Sequence, residues 1–188
     1  MLLYDAPAAE ALHVAADEAR RLGATTYETG HVLLGLLRTA DAVTATVTLD
    51  HPQLTEAAIR TALGAPSGRT QEDGDHEARS SRSTPEPSAE FRRAARQFTA
   101  KWRPLVRSRR LRPGLKLGTG ELWLTVLEPG TASARALASL GVEPVDVRPL
   151  VLATIVPDGA PVPDWPEEVP AGGVRRLLDR LRGTGSAP

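Results

Sequence analysis

The chain of 188 residues carries no net charge, because its 23 basic side chains balance its 23 acidic ones. A neutral chain has no overall field that would draw it to nucleic acid or to an anionic membrane. It lacks cysteine, which excludes disulfides and thiolate metal sites. No apolar run approaches the roughly 18 to 20 residues of a membrane-spanning helix. Since the N-terminus also lacks the basic segment of a secretory signal, the sequence predicts a soluble cytoplasmic protein.

The first 63 residues show the periodicity of helices. Apolar residues recur at helical spacing over 7–22, and Asp5 is a plausible N-cap. A second helix, about 30–39, follows Thr29 as a candidate N-cap and is apolar on nearly every side, which is typical of a helix in the middle of a domain. Two further short helices are predicted at about 41–49 and 53–63.

Residues 64–87 are almost devoid of apolar side chains, so they predict a solvated linker. Helical spacing resumes near Ser88, where an aromatic stripe runs toward Pro104, which is expected to start or kink a second helical piece. The stripe consists of Phe91, Phe98 and Trp102. Further helices are predicted at about 119–128, 131–140 and 144–155.

Residues 156–188 form a tail whose proline-rich part, from Pro157 to Pro170, cannot be regular helix or central strand. The proline-rich part predicts a flexible arm on which Trp165 is exposed. A short amphipathic helix is predicted near the end, at about 172–182.

One pattern occurs twice in the chain. Thr-Gly-His-Val-Leu-Leu-Gly-Leu-Leu at 29–37 returns, 90 positions later, as Thr-Gly-Glu-Leu-Trp-Leu-Thr-Val-Leu at 119–127. An Arg-Arg-Leu precedes each copy, at 20–22 and 109–111. Such self-similarity indicates one supersecondary unit that is duplicated and packed against its copy. The prediction is therefore an all-α domain over 1–155, built from two pseudo-symmetric four-helix repeats at 1–63 and 88–155.

The first copy resembles the N-terminal domain of Clp-type unfoldase ATPases, and most closely the ClpC group. The resemblance rests on Glu18-Ala19-Arg20-Arg21-Leu22 followed by the Thr-Gly-His-Val-Leu-Leu-Gly-Leu pattern at 29–36. That family also repeats its pattern twice, so the resemblance covers about 1–155 and implies an all-α pair of four-helix repeats. In complete ATPases the domain receives adaptors, substrates and, in some bacteria, arginine-phosphorylated proteins. Cyclic peptide antibiotics target it in actinobacteria.

Two departures from the family pattern bear on function. The chain has no G-x-x-x-x-G-K-[ST] phosphate loop, so we expect a free-standing N-domain without the ATPase module. The family's glutamate after threonine, which receives the guanidinium of arginine-phosphorylated clients, is replaced by Gly30 and Gly120. A carboxylate–guanidinium contact contributes about 1.5 to 3 kcal/mol, so its double loss should abolish that recognition. The paired change indicates a changed ligand, although an ancestral glycine explains it equally.

No residue constellation for catalysis is present, and neither a cofactor nor a metal is predicted. The four histidines lack paired metal spacing, and His31 is expected to make a local hydrogen bond at a helix start. Nucleophile-elbow, H-E-x-x-H and dinucleotide-binding motifs are absent. The sequence therefore predicts that the protein is not an enzyme.

The stretch between Glu86 and Lys116 is strongly basic, with ten basic residues against two acidic ones. Aromatic residues interleaved with arginines are typical of nucleic-acid stacking platforms. Their helical spacing, however, favours core aromatics with a solvated arginine face. An acidic protein partner is therefore preferred for this face over nucleic acid.

The resemblance implies a peptide- or protein-binding role in a groove between the repeats. The protein is predicted to be an adaptor or regulator that binds a Clp ATPase or its clients, and the groove to favour apolar peptide. One alternative is a decoy that sequesters a cyclic peptide antibiotic, and another is an arginine-rich regulator of nucleic acid. For the Thr-Gly pairs a purely structural role at the helix start is favoured over ligand contact. The residues expected at the groove are Met1, Leu2, Tyr4, Thr29, Gly30, His31, Thr119, Gly120 and Glu121.

Overall fold

The structure, a computed structural model, describes residues 3–64, 84–108, 116–157 and 159–168. Within these ranges the chain forms eight helices and two very short strands, which confirms the all-α prediction. The helices of the first half are α1 (Ala6–Arg21), α2 (Thr29–Thr39), α3 (Ala42–Asp50) and α4 (Glu56–Gly64). Those of the second half are α5 (Ala89–Arg107), α6 (Thr119–Val126), α7 (Ala132–Ser139) and α8 (Pro144–Ile155). The strands are β1 (Thr26–Tyr27) and β2 (Glu86–Pro87).

Several helices begin with a side chain that accepts a hydrogen bond from the first turn, which satisfies an otherwise unpaired N–H. Asp5 accepts from the amide of Ala8 at the start of α1, as predicted, at 2.9 Å. Ser88 caps α5 in the same way, with 3.1 Å between its Oγ and the amide nitrogen of Phe91. The N-caps of α1 and α5 thus occupy matching places at the start of the two halves.

Three predicted boundaries were wrong. Thr29 is not the N-cap of α2 but its first residue, and Glu28 takes the N-cap place, because the Thr29 side chain is buried and bonded to the other half. Helix α4 begins at Glu56 rather than near 53, after Thr55 Oγ1 accepts from the amide of Ala58 at 3.2 Å. Helix α5 runs through Pro104 as one element instead of starting a second piece there, and the Ser108 amide still reaches the Pro104 carbonyl at 3.0 Å.

One hydrophobic core joins both halves. The all-round apolar helix α2 lies in its middle, as predicted, and packs on α6 and most closely on α1. Leu33 of α2 and Trp123 of α6 are both fully buried. The indole Nε1 of Trp123 donates to Thr44 Oγ1 of α3 at 3.0 Å, so a polar atom in the core is satisfied by the opposite half.

Short parallel pairings tie the two halves together. Strands β1 and β2, which lead into α2 and α5, pair with Thr26 opposite Glu86. The segments that lead into α1 and α6 pair likewise through Tyr4 and Leu117. The arrangement corrects the linker prediction at its end, because Glu86 and Pro87 pair with β1 and Pro85 is buried. Residues 65–83 of the predicted linker lie outside the described ranges.

The proline-rich tail differs from the prediction where it is described. Trp165 is not on an exposed arm; it is half-buried and packs against the core, and Pro163 beside it is buried. The predicted helix at 172–182 and the second Arg-Arg-Leu at 109–111 lie outside the described residues. Among those described, no single helix is both long and apolar enough to cross a membrane, although the bent pair α2–α3 passes on length and composition together.

Candidate functional site

The two glycines of the repeated pattern are both buried where a helix start meets the last helix of its own half. A Cβ added to Gly30 would lie 2.5 Å from a methyl of Leu63 at the end of α4. The Cγ2 methyl of Ile155, at the end of α8, occupies the matching place beside Gly120. At both glycines the glutamate side chain of the family pattern is absent, and an apolar side chain packs onto the start of the helix.

The two threonines of the pattern are also buried, and each bonds to the opposite half. Thr29 Oγ1 donates to a carboxylate oxygen of Glu90 on α5 at 3.0 Å and accepts from the Ser133 amide of α7 at 3.2 Å. Thr119 Oγ1 donates to Asp41, the N-cap of α3. The threonines therefore hold the halves together.

His31 and Glu121 fill the same position in the two copies. His31 Nδ1 accepts a hydrogen bond from the Glu28 amide at 3.1 Å, which confirms the local bond predicted for this histidine. A carboxylate oxygen of Glu121 accepts from the Gly118 amide at 2.9 Å. Burial is the main cause that lowers the pKa of His31 and raises the pKa of Glu121. The imidazole is therefore neutral near pH 7 and suited to accept this bond.

Tyr4 lies at the joint between the halves, next to the turn that carries Thr119. It is half-buried, and burial raises the pKa of its phenol. Leu3 beside it exposes 59% of its surface. Met1 and Leu2, also expected at the groove, lie outside the described residues. The structure thus brings Tyr4 near Thr119, Gly120 and Glu121. In the other copy, Thr29 bonds to α5 and α7, and Gly30 packs against α4.

A surface groove of about 870 Å³ opens beside Gly30 and His31. Helices α1, α2 and α4 of the first half form one side, and α7 of the second half forms the other. Its apolar lining includes Leu22, Leu34 and Leu63. Leu22 exposes 64% of its surface there. A volume in this range suits a peptide segment or a ligand of comparable size.

The polar part of the groove centres on Glu18, whose carboxylate is buried against two arginines. Its Oε1 accepts from Arg60 Nε at 2.8 Å and from Arg21 at 2.5 Å. Hydrogen bonds from Arg60 and then Arg21 lower the pKa of Glu18 to about 2, so the carboxylate stays ionised. Across the groove, Arg135 on α7 bonds to the Gly130 carbonyl and, within the described ranges, has no carboxylate at ion-pair distance.

The basic stretch has the layout that its helical spacing predicted. Phe91, Phe98 and Trp102 are buried on the core side of α5, while its arginines face solvent. Lys101 is the exception, since it is buried and its Nζ donates to Glu128 at 2.7 Å. Buried rings have no free face for bases, so this part of the chain is not a stacking platform.

In its fold the chain is similar to the N-terminal domain of the caseinolytic protease associated chaperone ClpD from Arabidopsis thaliana. The two share a TM-score of 0.52 at 15% sequence identity, over 80% of this chain and 93% of that one. The fold is Clp N-domain-like. No protein-family model matches the sequence, and no curated protein matches it significantly. A likeness at this identity establishes the Clp N-domain-like fold and not an activity.

Of the expected residues that the structure describes, Gly30 and His31 line the observed groove and the others do not. Sequence reasoning missed the far wall, because nothing in the pattern of α7 indicates that Arg135 would face α4. Leu22 did carry a signal, since it is an apolar residue in the last turn of an amphipathic helix, next to a glycine exit. Whether the expected residues bind peptide remains a prediction. Within the described ranges, no three histidine, aspartate or glutamate side chains come together as a metal site.

Proposed function

We propose that this chain is a non-catalytic peptide- or protein-binding module of the Clp proteolysis system, acting as an adaptor or regulator of a Clp ATPase or its clients. The observation that carries the proposal is the groove between the first half and α7, within a Clp N-domain-like fold. Its lining combines exposed leucine with arginines, which is the composition of a peptide-binding surface rather than of a catalytic centre.

The groove offers two kinds of contact to a bound peptide. Leu22 and Leu63 supply apolar surface, and burial of such surface contributes about 25 cal/mol for each Å². Arg135 supplies a guanidinium at the opposite wall for a polar or acidic group of the peptide. An apolar peptide segment with one polar or acidic group fits this combination, in line with the absence of a glutamate at Gly30, which lines the groove.

The test is capture of a Clp ATPase from native lysate by the immobilised chain and by two matched variants. Leu22→Asp places a charge in the groove, whereas Leu49→Asp changes a leucine that is 85% exposed on α3 and does not line it. We expect the wild type and Leu49→Asp to retain the ATPase, and Leu22→Asp to lose it. Absence of any Clp ATPase from the wild-type eluate would count against the adaptor role. Equal capture by Leu22→Asp would show that the groove does not bind the ATPase.

The alternative role as a decoy for a cyclic peptide antibiotic is supported by a different surface. Leu3 and Tyr4 present apolar surface at the joint of the halves, away from the groove lining. Isothermal titration calorimetry of the whole chain with such a peptide tests it, with micromolar or tighter binding expected. The Leu3→Asp variant should weaken that binding, and the absence of any heat of binding would exclude the decoy.

A further inference from the structure

The arginines of α5 differ from every other arginine that the structure describes. Each described arginine outside this helix bonds to an acceptor of the chain, either a carboxylate or a backbone carbonyl. Those six are Arg20, Arg21, Arg38, Arg60, Arg135 and Arg148. The arginines of α5 are all exposed and, within the described ranges, none of them has a hydrogen-bond acceptor or a carboxylate at ion-pair distance. These five are Arg92, Arg93, Arg96, Arg103 and Arg107.

Four of the five form a row along one side of the helix. Arg92, Arg96, Arg103 and Arg107 follow each other at intervals of four, seven and four residues. In an α-helix, with about 3.6 residues per turn, these intervals keep the four side chains within about 60° around the axis and spread them over about 22 Å. We name these four residues the arginine row. The buried aromatic residues of α5 lie on the opposite side of the helix, in the core.

The arginine row is repulsive in the protein by itself. Arg92 and Arg96 lie about one turn apart, as do Arg103 and Arg107, and like charges at that spacing destabilise a helix. An acidic partner would replace this repulsion by attraction. Arginine is suited to such a partner, because its planar guanidinium can donate two parallel hydrogen bonds to one carboxylate.

The middle of the row lets a partner approach closely. Between the two arginine pairs, the same side of α5 carries Thr99 and Ala100, which are small and partly exposed. The Thr99 hydroxyl already donates to the Ala95 carbonyl at 2.7 Å, so it does not require a partner. Helices approach each other according to the size of the side chains between them, so a second helix can lie along this surface. Its charged groups would then meet the guanidinium groups at both ends.

We propose that the arginine row is a docking surface for an acidic α-helix of a partner protein. Glutamates at intervals of four, seven and four residues have the same separations along a helix as these arginines. The order of intervals is the same in both directions, so such a helix fits parallel or antiparallel. Duplex nucleic acid is disfavoured, because the chain as a whole carries no net charge that would attract it. No residue of α5 lines the groove beside Gly30, so the proposal does not depend on the function of that groove.

The experiment measures binding of a fluorescein-labelled helical peptide to the full-length chain by fluorescence anisotropy. The peptide consists of alanine and glutamine with four glutamates at the intervals of the arginine row. A control peptide has the same composition and charge, with its glutamates distributed around the helix. The row variant carries Arg96→Gln and Arg103→Gln. The matched control carries Arg20→Gln and Arg38→Gln, which remove two half-exposed arginines from α1 and α2.

The wild type and the matched control should bind the peptide equally, and the row variant should bind it about tenfold more weakly, since it loses two charge contacts. Binding should weaken as ionic strength rises. The peptide with distributed glutamates should bind more weakly than the matched peptide, because its carboxylates cannot all face the row. In urea denaturation the row variant should be at least as stable as the wild type, since it relieves repulsion between like charges.

Several outcomes would overturn the proposal. One is the absence of peptide binding to the wild type at low salt, and another is equal weakening in the row variant and the matched control, which would indicate net charge alone. Equal binding of the two peptides would show that the intervals do not matter. Tighter binding of a short DNA duplex than of the peptide, lost in the row variant, would assign the surface to nucleic acid instead. The groove variant Leu22→Asp should bind the peptide like the wild type, so failure of the adaptor role and failure of this proposal are distinguishable.

Discussion

Substitution of Gly35 by alanine tests the close contact between α1 and α2. Gly35 lies in the middle of α2, where α1 crosses it at Ala11. An added Cβ would lie 2.9 Å from the carbonyl carbon of Ala11 and 3.2 Å from its Cα, and closer still to its carbonyl oxygen. All three atoms belong to helix backbone, so no side chain can rotate away and the helices must move apart.

Two effects of opposite sign determine how much the Gly35→Ala substitution lowers the free energy of unfolding. Overpacking of a well-packed core typically costs about 1 to 3 kcal/mol, and rigid backbone on both sides places this contact at about 3 kcal/mol. Because alanine has a higher helix propensity than glycine, the substitution also stabilises the helix by about 1 kcal/mol. We expect a net loss of about 2 kcal/mol, which for a chain of this size lowers the melting temperature by about 4 to 8 °C.

Urea denaturation followed by circular dichroism measures the free energy of unfolding of the Gly35→Ala variant. The matched control is Gly64→Ala at the end of α4, where an added Cβ meets no atom within 4 Å. The control should be as stable as the wild type or slightly more so, because only the propensity gain applies. A Gly35→Ala variant as stable as the wild type would refute the reasoning, since it would mean that α1 and α2 separate at no cost.

Three further outcomes follow from named contacts. Lys101→Met should lower the free energy of unfolding by about 3 to 5 kcal/mol by stranding the Glu128 carboxylate, and the double variant with Glu128→Leu should recover most of it in urea denaturation. Because the pKa of Glu18 falls from 4.5 to about 2 in the fold, its stabilisation is complete above pH 4.5 and is lost as pH falls toward 2. The difference in melting temperature between the wild type and Glu18→Gln should therefore decrease as pH falls over that range. Thr44→Val should cost about 1 to 3 kcal/mol, read from its thermal melt, by removing the buried acceptor of the Trp123 indole.

Local patterns predicted the helices well because the residues that decide them lie within a few positions of each other. The apolar spacing of 7–22 and the cap at Asp5 act inside one turn or along one face, and α1 follows them closely. The nearly apolar 30–39 segment could be placed in the core for the same reason. The aromatic stripe of α5 was likewise assigned to the buried side by spacing alone.

Features that depend on a distant partner could not be read from the sequence. Glu86 and Pro87 belong to a segment with the composition of a linker, yet they pair with 25–27 through backbone groups, which the pattern of side chains does not reveal. Trp165 lies among prolines that exclude regular structure, yet it docks because Phe98 offers a ring. Thr29 has the chemistry of an N-cap, but Glu90 competes for its hydroxyl from 61 positions away. In each example a tertiary contact overrides a local preference.

In the candidate site, too, some positions are set by local contacts and others by contacts with distant parts of the chain. At the third position of each pattern, an acceptor that bonds to the amide preceding the helix is a local requirement, and both histidine and glutamate meet it. At the first position the threonine is held by a long-range bond to the other half, so its identity maintains the joint between the halves. At the second position the small residue makes room for the last helix of its half.

These three constraints are structural, so the surface that remains free to vary for a ligand is the wall of the groove. Leu22 and Arg135 lie on opposite walls, one in each half. Binding specificity in this fold should therefore follow substitutions on those walls more than substitutions in the repeated pattern.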